Sequence, residues 1–485
     1  MVRKQGVTRG LCLWLCAGLG IGGLGTAGPV AAETMETFAA AGGVPEAVWA
    51  IPVGEMSREE DQVDGVGVDG AGNATITGVF RARLDLGTER FEARGRGDIF
   101  VASYARDGSF RWARQIGGDG DDNAYDMAVD GAGNIYLSGW FADRVDFGGG
   151  YVLEARGSQD MFVARLDPAG NTVWARAFGG RQGDGGNEIF VTDAGEIAVA
   201  AISEGDFVVD GTAYPGGGGE RDSYVMRMSP GGEIRWIVPA AGPGTERIRA
   251  ITMNEAGEVF AGFQYRGSVR MGDLALESRG GWDGAVAKLS AGGGVEWLLP
   301  VGGAETDNVR GISAGPGGSV YIAGEFSGPA IMIDREVPAI GQRGDEFLIR
   351  LSGEGRPLWV VSMASRGQGN GAEIEADAAG VIVSSTIEAE TVIRLNRDTI
   401  ATVTPEAPSG YLAGFTEEGE LRFFYMPSAA ARRSGSNGSS IDVTGDGRYA
   451  VMALRFRGTI EAAGRRIETP ANVDSAVVFL RLNGG

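Results

Sequence analysis

The chain has 485 residues, a formal net charge of -21 and no histidine. The missing histidine excludes Ser-His-Asp triads, histidine metal ligands and histidine-based general acid–base chemistry. The excess of acidic over basic residues, 64 against 43, makes nucleic acids and anionic membranes poor partners, because both carry negative charge.

Residues 1–32 predict a secretory signal peptide. Basic residues at positions 3, 4 and 9 precede an apolar run, and small residues at 30–32 follow it, which is typical of a cleaved leader. The run is shorter than the ~20 residues of a membrane-spanning helix, and no later segment approaches that length. Both cysteines, Cys12 and Cys16, lie in the leader. We therefore expect an exported protein, periplasmic, cell-surface or secreted, with neither a disulfide nor a membrane span.

A linker is expected at 33–45, followed by a repeat that extends over 46–485. Three residue series recur with a period of about 62 residues. An aromatic residue recurs at Trp49, Trp112, Trp174, Trp236, Trp297, Trp359 and Phe423. A turn glycine recurs at Gly72, Gly133, Gly195, Gly257, Gly318, Gly380 and Gly447. A polar residue recurs at Asp98, Asp160, Asp222, Asp283, Asp345, Ser409 and Asp474. The three series agree on seven units.

Each unit predicts four β-strands and an additional hairpin. In the unit at 124–180, short runs rich in Val, Ile, Tyr, Phe and Trp alternate with Asp/Asn/Gly turns, and no segment has a sustained helical period. The fragment at 48–54 is a fourth-strand sequence with no unit before it, and the last unit ends after its third strand at 475–484. Pairing the two fragments completes seven blades and leaves no open edge.

The sequence therefore predicts an all-β, seven-bladed β-propeller closed by an N-terminal strand. A linear solenoid is the less favoured alternative, because no terminal caps are visible. Residues that recur in every blade are expected to belong to the blade itself. We expect the Trp to pack against its own or the neighbouring sheet, and the recurrent Asp to tie a turn through backbone hydrogen bonds.

The repeat resembles the bacterial β-propeller repeat called SBBP, which is found in exported proteins. The resemblance lies in VDGAGNIYLSG at 129–139, DMFVARLDPAGN at 160–171 and VWARAFGG at 173–180. It extends over roughly 46–485 and is poorest in the sixth blade, where Ser409 replaces the Asp. It implies a propeller fold and an extracytoplasmic location, but no defined activity. The repeat is also weakly similar to quinoprotein-type propellers, which carry a Trp late in each repeat. Those enzymes commonly use adjacent cysteines at the cofactor, and this chain has no cysteine outside the predicted leader.

A ligand site on a ring of similar blades must lie where the blades differ. Two aligned positions on the predicted innermost strands carry mixed charges, and the candidate ligand-binding residues there are Asp126, Glu188, Arg249, Arg310 and Glu373. Such groups near the channel could bind a polar or sugar-like ligand through bidentate contacts. Salt bridges between blades are the alternative explanation.

The loops that join consecutive blades are acidic, and Asp119, Asp121 and Asp122 form a candidate calcium site. These loops lack the regular D-x-D-x-D-G spacing, so calcium is a secondary hypothesis, and no other cofactor is expected. An irregular, partly basic insertion at 427–440 is either a flexible excursion or a partner contact.

Together these features favour a non-catalytic module that binds or scaffolds a protein or glycan and is monomeric. The alternative is a carboxylate-dependent polysaccharide lyase or glycoside hydrolase at the channel, since glycosidase chemistry requires two carboxylates and no histidine. A deep pocket that holds an acid with a raised pKa beside a second carboxylate would favour the enzyme. A structural component of the cell envelope is a third possibility, which the sequence does not separate from the binding module.

Overall fold

The structure is a computed structural model that describes residues 34–35, 38–39, 45–53, 61–337, 344–365, 373–387, 389–404, 409–426, 428–431, 440–456, 458–468 and 474–482. The predicted leader and the middle of the 427–440 insertion lie outside these residues. Within them, no helix is long and apolar enough to cross a membrane.

Seven units of four antiparallel strands follow one another along the chain, and they are numbered here as blades 1 to 7, with strands given from the first to the fourth. Blades 1 and 2 contain Gln62–Val68, Ala74–Phe80, Asp98–Tyr104 and Phe110–Ile116, then Asp122–Val129, Ile135–Phe141, Asp160–Leu166 and Thr172–Phe178. Blades 3 and 4 contain Asp184–Val191, Ile197–Ser203, Asp222–Met228 and Ile234–Ala240, then Thr245–Met253, Val259–Arg266, Asp283–Leu289 and Val295–Gly303. Blades 5 and 6 contain Asp307–Ala314, Val320–Phe326, Asp345–Leu351 and Pro357–Ser365, then Glu373–Asp377, Gly380–Ile387, Ser409–Thr416 and Leu421–Tyr425. Blade 7 contains Ile441–Val443, Tyr449–Phe456, Asp474–Arg481 and Glu46–Val53.

A hairpin lies between the second and third strands of each blade, as the sequence predicts. In chain order the hairpins are Arg83–Asp85 with Arg90–Glu92, Arg144–Asp146 with Val152–Glu154, Phe207–Val209 with Thr212–Tyr214, Ser268–Met271 with Leu274–Glu277, Ala330–Met332 with Arg335–Val337, Thr391–Leu395 with Asp398–Val403, and Gly458–Ala462 with Arg465–Glu468. The hairpins of blades 5 and 6 also pair with the fourth strand of the preceding blade, which links those blades through their backbones.

Short strands outside this pattern add to the sheet edges. Ser428–Ala431, at the start of the 427–440 insertion, pairs with the blade 7 hairpin. Two strands come from the predicted linker: Thr34–Met35 pairs with the blade 6 hairpin, and Phe38–Ala39 pairs with the fourth strand of blade 6. The 3-10 turn Pro316–Gly318 joins the first two strands of blade 5.

The first strands of neighbouring blades contact each other all the way around, including those of blades 7 and 1, so they form the inner wall of a ring. The predicted closure is confirmed, because Glu46–Val53 pairs antiparallel with Asp474–Arg481 as the fourth strand of blade 7. In this pairing Trp49 lies opposite Phe479, and their rings stack with centroids 5.2 Å apart. The strand nearest the N-terminus therefore completes the last blade.

The hydrophobic core lies between neighbouring blades. One cluster, for example, combines Ile99 and Val101 of blade 1 with Leu137 and Phe162 of blade 2, all of them fully buried. A seven-bladed ring repeats this sandwich of facing sheets at every junction. Burial of apolar surface between blades is therefore the main force that holds the ring together.

The recurrent Trp joins each blade to the next by a hydrogen bond as well as by packing. The indole N–H of Trp112 donates to the carbonyl oxygen of Pro168, in the turn between the third and fourth strands of the next blade, at 3.1 Å. The same bond recurs from Trp49, Trp174, Trp236, Trp297 and Trp359 to Arg106, Pro230, Ala291, Gly353 and Glu417.

Glycine is required in the receiving turn. Gly170 has a φ of 78°, and a Cβ there would lie 2.7 Å from the Trp112 ring.

The exception to the Trp series also has a structural reason. Phe423 precedes blade 7, whose third and fourth strands come from opposite ends of the sequence, so no turn joins them to accept an indole bond.

The recurrent Asp ties a turn, as predicted. Asp98 Oδ1 accepts hydrogen bonds from the backbone N–H groups of Arg94 and Gly95 at 3.1 and 3.2 Å. Asp160 binds the equivalent N–H groups of Arg156 and Gly157. Each of these turns leads from the hairpin into the third strand, so the Asp fixes the approach to that strand.

Candidate ligand site in the central channel

The channel wall bulges at the same position in five successive blades. In blades 1 to 5 one residue of the first strand has no partner in the second strand, and these residues are Asp64, Tyr125, Asn187, Arg249 and Arg310. A β-bulge redirects side chains and is common beside functional sites. Two of the predicted ligand-binding residues, Arg249 and Arg310, therefore lie where the backbone departs from regular pairing.

Asp126 and Glu188 follow the bulges of blades 2 and 3, and their carboxyl groups hydrogen-bond to each other. The two oxygens of Asp126 also accept the backbone N–H groups of Met127, at 2.7 Å, and of Ile189, at 2.8 Å. Burial raises the pKa of Asp126 to about 7. Burial, with the charge of Asp126, raises the pKa of Glu188 well above its usual range. The pair therefore retains a proton near neutral pH.

Three more carboxyl groups from blades 6 and 7 face the same channel: Glu373, Glu375 and Asp442. The charge of Asp126 acts on both glutamates, and Asp442 acts on Asp126 and on Glu375. Burial raises the pKa of Asp442 to about 7 and that of Glu373 to about 8. It also raises the pKa of Glu375 well above the usual value. Five acids thus share a confined space, and most of the charge that they would carry in water is suppressed.

Side chains of the channel also connect neighbouring blades by accepting hydrogen bonds from backbone N–H groups. The N–H group of Ile189 in blade 3 binds Asp126 of blade 2, and that of Val68 in blade 1 binds Asp442 of blade 7 at 2.7 Å. Serine hydroxyls do the same elsewhere, in the pairs Ser440 with Val66 and Ser313 with Ala376. The expected bridging between blades is present, but it runs mainly from side chains to backbone N–H groups. One salt bridge of the expected kind joins Arg455 of blade 7 to Asp64 of blade 1 at 2.7 Å.

The basic side of the channel belongs to blades 4 and 5, where Arg249 and Arg310 lie close together. Burial, together with the charges of Arg310 and Arg247, lowers the pKa of Arg249 to about 10, and the charge of Glu188 opposes this shift. Arg310 Nε lies 3.7 Å from Glu325 Oε1. Among the residues that the structure describes, Nε of Arg249 and Nε of Arg310 have no hydrogen-bond partner. The charges of Arg310 and Arg247 both act on Arg249, so like charges meet on this side of the channel.

Tyr125 lies beside this basic group and is 46% exposed, which is unusual for so large an aromatic side chain in this chain. Its proximity is shown by its charge interaction with Arg249. Asn187, on the neighbouring blade, donates from its side-chain amide to the carbonyl of Ile248 and so is part of the wall. An open aromatic face next to arginines is a favourable surface for a planar or sugar-like group.

The five predicted ligand-binding residues therefore meet in one channel. Electrostatic interactions connect Asp126 with Glu188 and Glu373, and connect Arg249 with Glu188 and Arg310. Their role in binding stays a prediction.

Sequence reasoning missed Glu375 and Asp442. Glu375 stands two residues after the predicted Glu373, and alternate residues of a strand point to the same face, so this period-2 rule would have identified it. Asp442 lies on the first strand of blade 7, from which no ligand-binding residue was predicted.

The predicted calcium residues do not form one cluster. Asp119 is exposed, Asp121 forms a 3.4 Å ion pair with Arg81, and Asp122 is buried and accepts the Gly118 N–H at 2.9 Å. In the described part of the chain, no group of three or more acidic side chains is arranged to hold a metal ion. Calcium binding stays an untested prediction.

Comparisons with known proteins agree with this architecture. Residues 111–140 match the family SBBP, described as a β-propeller repeat. The match confirms the predicted resemblance over these residues, and the chain has the β-propeller fold that the resemblance implied.

Among curated proteins, the regulatory protein FlaEY of Caulobacter vibrioides is 24% identical over 189 residues. The match covers 38% of this chain but only 20% of FlaEY, so the chain spans about a fifth of that relative's length.

Solved structures show only distant likeness. The Neurospora crassa Pan2 WD40 domain is 10% identical, with a TM-score of 0.42 and coverage of 91% of this chain and 96% of that domain. A puromycin hydrolase is 12% identical, with a TM-score of 0.42 and coverage of 86% and 55%. The rhamnogalacturonan lyase YesX is 11% identical, with a TM-score of 0.35 and coverage of 93% and 75%. Likeness at this level supports no assignment of function.

Proposed function

We propose that this protein is an exported, non-catalytic binding propeller that receives an anionic group of a glycan or protein at the basic side of its channel. The observation that carries the proposal is the closeness of Arg249 and Arg310, two arginines of adjacent blades whose like charges act on each other and whose Nε atoms lack hydrogen-bond partners among the described residues. Guanidinium groups bind carboxylate, sulfate and phosphate through paired hydrogen bonds. An anion bound between them would supply the missing partners and relieve their mutual repulsion.

The neighbouring residues fit an acidic sugar or an acidic side chain. Tyr125 offers an exposed aromatic face close to Arg249. Glu373, whose pKa burial raises to about 8, is mostly protonated near neutral pH and can donate as well as accept hydrogen bonds, which suits hydroxyl-bearing ligands. A ligand with one anionic group and several hydroxyl groups would use both sides of the channel.

The pair Asp126 and Glu188 is poorly suited to glycosidase chemistry. The two carboxyl groups of a glycosidase stand ~5 to 9.5 Å apart, with the scissile bond or a water between them. The carboxyl groups of Asp126 and Glu188 instead touch each other, and both oxygens of Asp126 are already occupied by backbone N–H groups. Acids with a raised pKa are present, as an enzyme would require, but their contacts favour a structural role.

A binding role is also compatible with the relative FlaEY, which is named a regulatory protein. Regulation by a propeller without catalytic groups would require it to recognise a partner. Export is part of the proposal and rests on the leader-like sequence at 1–32.

The direct test is a glycan array and a pull-down with the mature protein, comparing wild type with the double variant Arg249→Ala and Arg310→Ala. We expect the variant to lose ~10-fold or more in affinity for the captured acidic ligand, because paired charged hydrogen bonds are lost. Its melting temperature should stay close to that of wild type, because the two arginines repel each other.

The matched control is Arg83→Ala with Arg90→Ala, two exposed arginines of the blade 1 hairpin. The control should bind as wild type does. Retained affinity in the channel variant would refute the proposed site, and cleavage products in the glycan samples would favour the enzymatic alternative.

A further inference from the structure

A second set of carboxyl groups lies buried outside the channel, where one blade passes to the next. At four junctions the Asp that begins a third strand faces an acid near the start of the following blade, in the pairs Asp98 with Asp122, Asp160 with Asp184, Asp222 with Glu246, and Asp283 with Asp307. None of the eight side chains is more than 3% exposed. Two carboxyl groups that share a dry site cannot both be ionised without a large cost.

At two of the junctions a glycine allows the two acids of the pair to approach each other. A Cβ at Gly179 would lie 2.8 Å from Asp184 Oδ2 and 2.9 Å from Asp160 Cγ. A Cβ at Gly302 would lie within the same range of the oxygens of Asp283 and Asp307. Both carboxyl groups therefore crowd around one glycine, with no side chain to separate them.

The junction between blades 3 and 4 departs from this pattern in two linked ways. Ala241 occupies the position of the glycine, and the longer Glu246 replaces the Asp of the other junctions. The Glu246 carboxyl group hydrogen-bonds to that of Asp222. Among the described residues, neither of its oxygens accepts a hydrogen bond of ordinary geometry from an N–H or O–H group. A carboxyl-to-carboxyl hydrogen bond requires a proton on one of the two partners.

The pairs offer a metal ion few free oxygen atoms. The second acid accepts backbone N–H groups, from Gly118 to Asp122 at 2.9 Å and from Gly180 to Asp184 at 2.7 Å. Calcium instead requires six to eight oxygen ligands. The described residues contain no group of three acids that could hold a metal ion.

We propose that the four buried acid pairs at the blade junctions are proton-binding sites, in which one proton is shared between two carboxyl groups and ties neighbouring blades together. This inference is independent of the ligand proposed for the channel. It makes the folded ring a store of protons that alkaline solution removes. The ring would accordingly be most stable in mildly acidic surroundings.

The charge interactions at the pairs also favour a retained proton, because the first acid raises the pKa of the second. Burial raises the pKa of Asp122 to about 7, and the charges of Asp98 and Asp121 raise it as well. Burial likewise raises the pKa of Asp184 and that of Asp307 to about 6, with Glu204 and Glu305 as further nearby acids.

Basic groups moderate three of the junctions but not the fourth. Arg94, Arg156 and Arg279 each donate to the carbonyl of the glycine at their junction. At the junction of blades 3 and 4, burial and Asp222 raise the pKa of Glu246 to about 8. The backbone N–H of Gly242 opposes this shift, but no arginine or lysine of the described chain does. Tyr224 also faces Asp222, and its O–H donates to the carbonyl of Tyr214. Glu246 is therefore the residue at which the proposal is tested most sharply.

The experiment measures the melting temperature of the mature protein and of Glu246→Gln from pH 5 to pH 8. A folded pKa above the unfolded value means that the folded state binds the extra proton, so stability is greatest at low pH and is lost as pH rises toward 8. Gln supplies an N–H donor without titrating. We expect the variant to melt ~2 °C or more above wild type at pH 8, with no gain at pH 5. The protons released on unfolding near pH 6.5 should fall by close to one.

Glu255→Gln, in an exposed turn of blade 4, is the matched control and should follow wild type at every pH. If Glu246→Gln folds poorly, Asp184→Asn tests the same idea at the junction of blades 2 and 3. Equal pH dependence in wild type and in the junction variants would overturn the proposal. So would a calcium-induced rise in the melting temperature that Glu246→Gln abolishes, because the pair would then be a metal site.

Discussion

The rim of the ring, formed by the fourth strands that carry the recurrent Trp, and the channel use one repeated backbone in opposite ways. At the rim, the same residue makes the same contact in blade after blade, and the indole N–H of Trp174 bonds to Pro230 just as that of Trp112 bonds to Pro168. In the channel, the same bulge recurs in five blades while its residue changes from acid to aromatic to arginine. Repetition of side chains marks the scaffold, and variation on a repeated backbone marks the place where specificity can reside.

Removing the strand at 46–53 should have the largest effect on this scaffold. The deletion takes away the fourth strand of blade 7 and exposes the edge of Asp474–Arg481. We expect a loss of ~10 °C or more in melting temperature, or failure to fold. Thermal unfolding followed by circular dichroism measures it. Glu46→Ala, which breaks only an exposed ion pair with Arg481, should be nearly neutral. A deletion variant that melts as wild type does would mean that the ring is not closed here.

A smaller loss is expected when one rim contact is removed. Trp174→Ala should cost ~2 to 4 kcal/mol, because it removes a half-buried aromatic ring and its hydrogen bond to Pro230. Trp174→Phe keeps most of the packing, as Phe423 does naturally, and should cost ~1 kcal/mol. Urea unfolding gives both values. An unchanged free energy of unfolding in Trp174→Ala would contradict the scaffold role.

The smallest expected effect is a change in the pH and salt dependence of stability, and it distinguishes the channel acids from the buried junction pairs. The raised pKa of Glu373, about 8, and that of Glu188 mean that the folded state binds extra protons above pH ~4, so stability should fall as pH rises toward 8. Glu188→Gln with Glu373→Gln should reduce this fall. Added salt should reduce the channel's contribution, because the channel acids are only partly buried, whereas the effect of the fully buried Glu246 should persist. Melting curves at low and high salt test the difference, and identical salt responses would show that the two regions do not differ.

Much of the scaffold could be predicted from the sequence because it repeats. The spacing of Trp49 to Phe423 fixed seven blades, and the incomplete units at 48–54 and 475–484 predicted the closure. The carbonyl group that accepts the hydrogen bond of each Trp could not be predicted from this spacing. It lies in the next blade, at a position set by how the sheets pack rather than by local pattern.

The candidate site was predictable only in part, for similar reasons. Variation among aligned residues identified Asp126, Arg249 and Arg310, but the bulges that direct this part of the wall have no signature in a single strand. The contact of Glu246 with Asp222 depends on how consecutive blades meet. Local sequence patterns predict neither the bulges nor this contact.

The most direct test of the central claim measures ligand affinity and melting temperature together in two variants, Trp174→Ala and the double variant Arg249→Ala with Arg310→Ala. The account predicts that Trp174→Ala lowers the melting temperature and, below that temperature, binds the captured ligand normally. It predicts that the arginine variant melts normally and loses ~10-fold or more in affinity. The reverse pattern, with binding lost in Trp174→Ala and kept without the arginines, would contradict the division between a repeated scaffold and a variable channel.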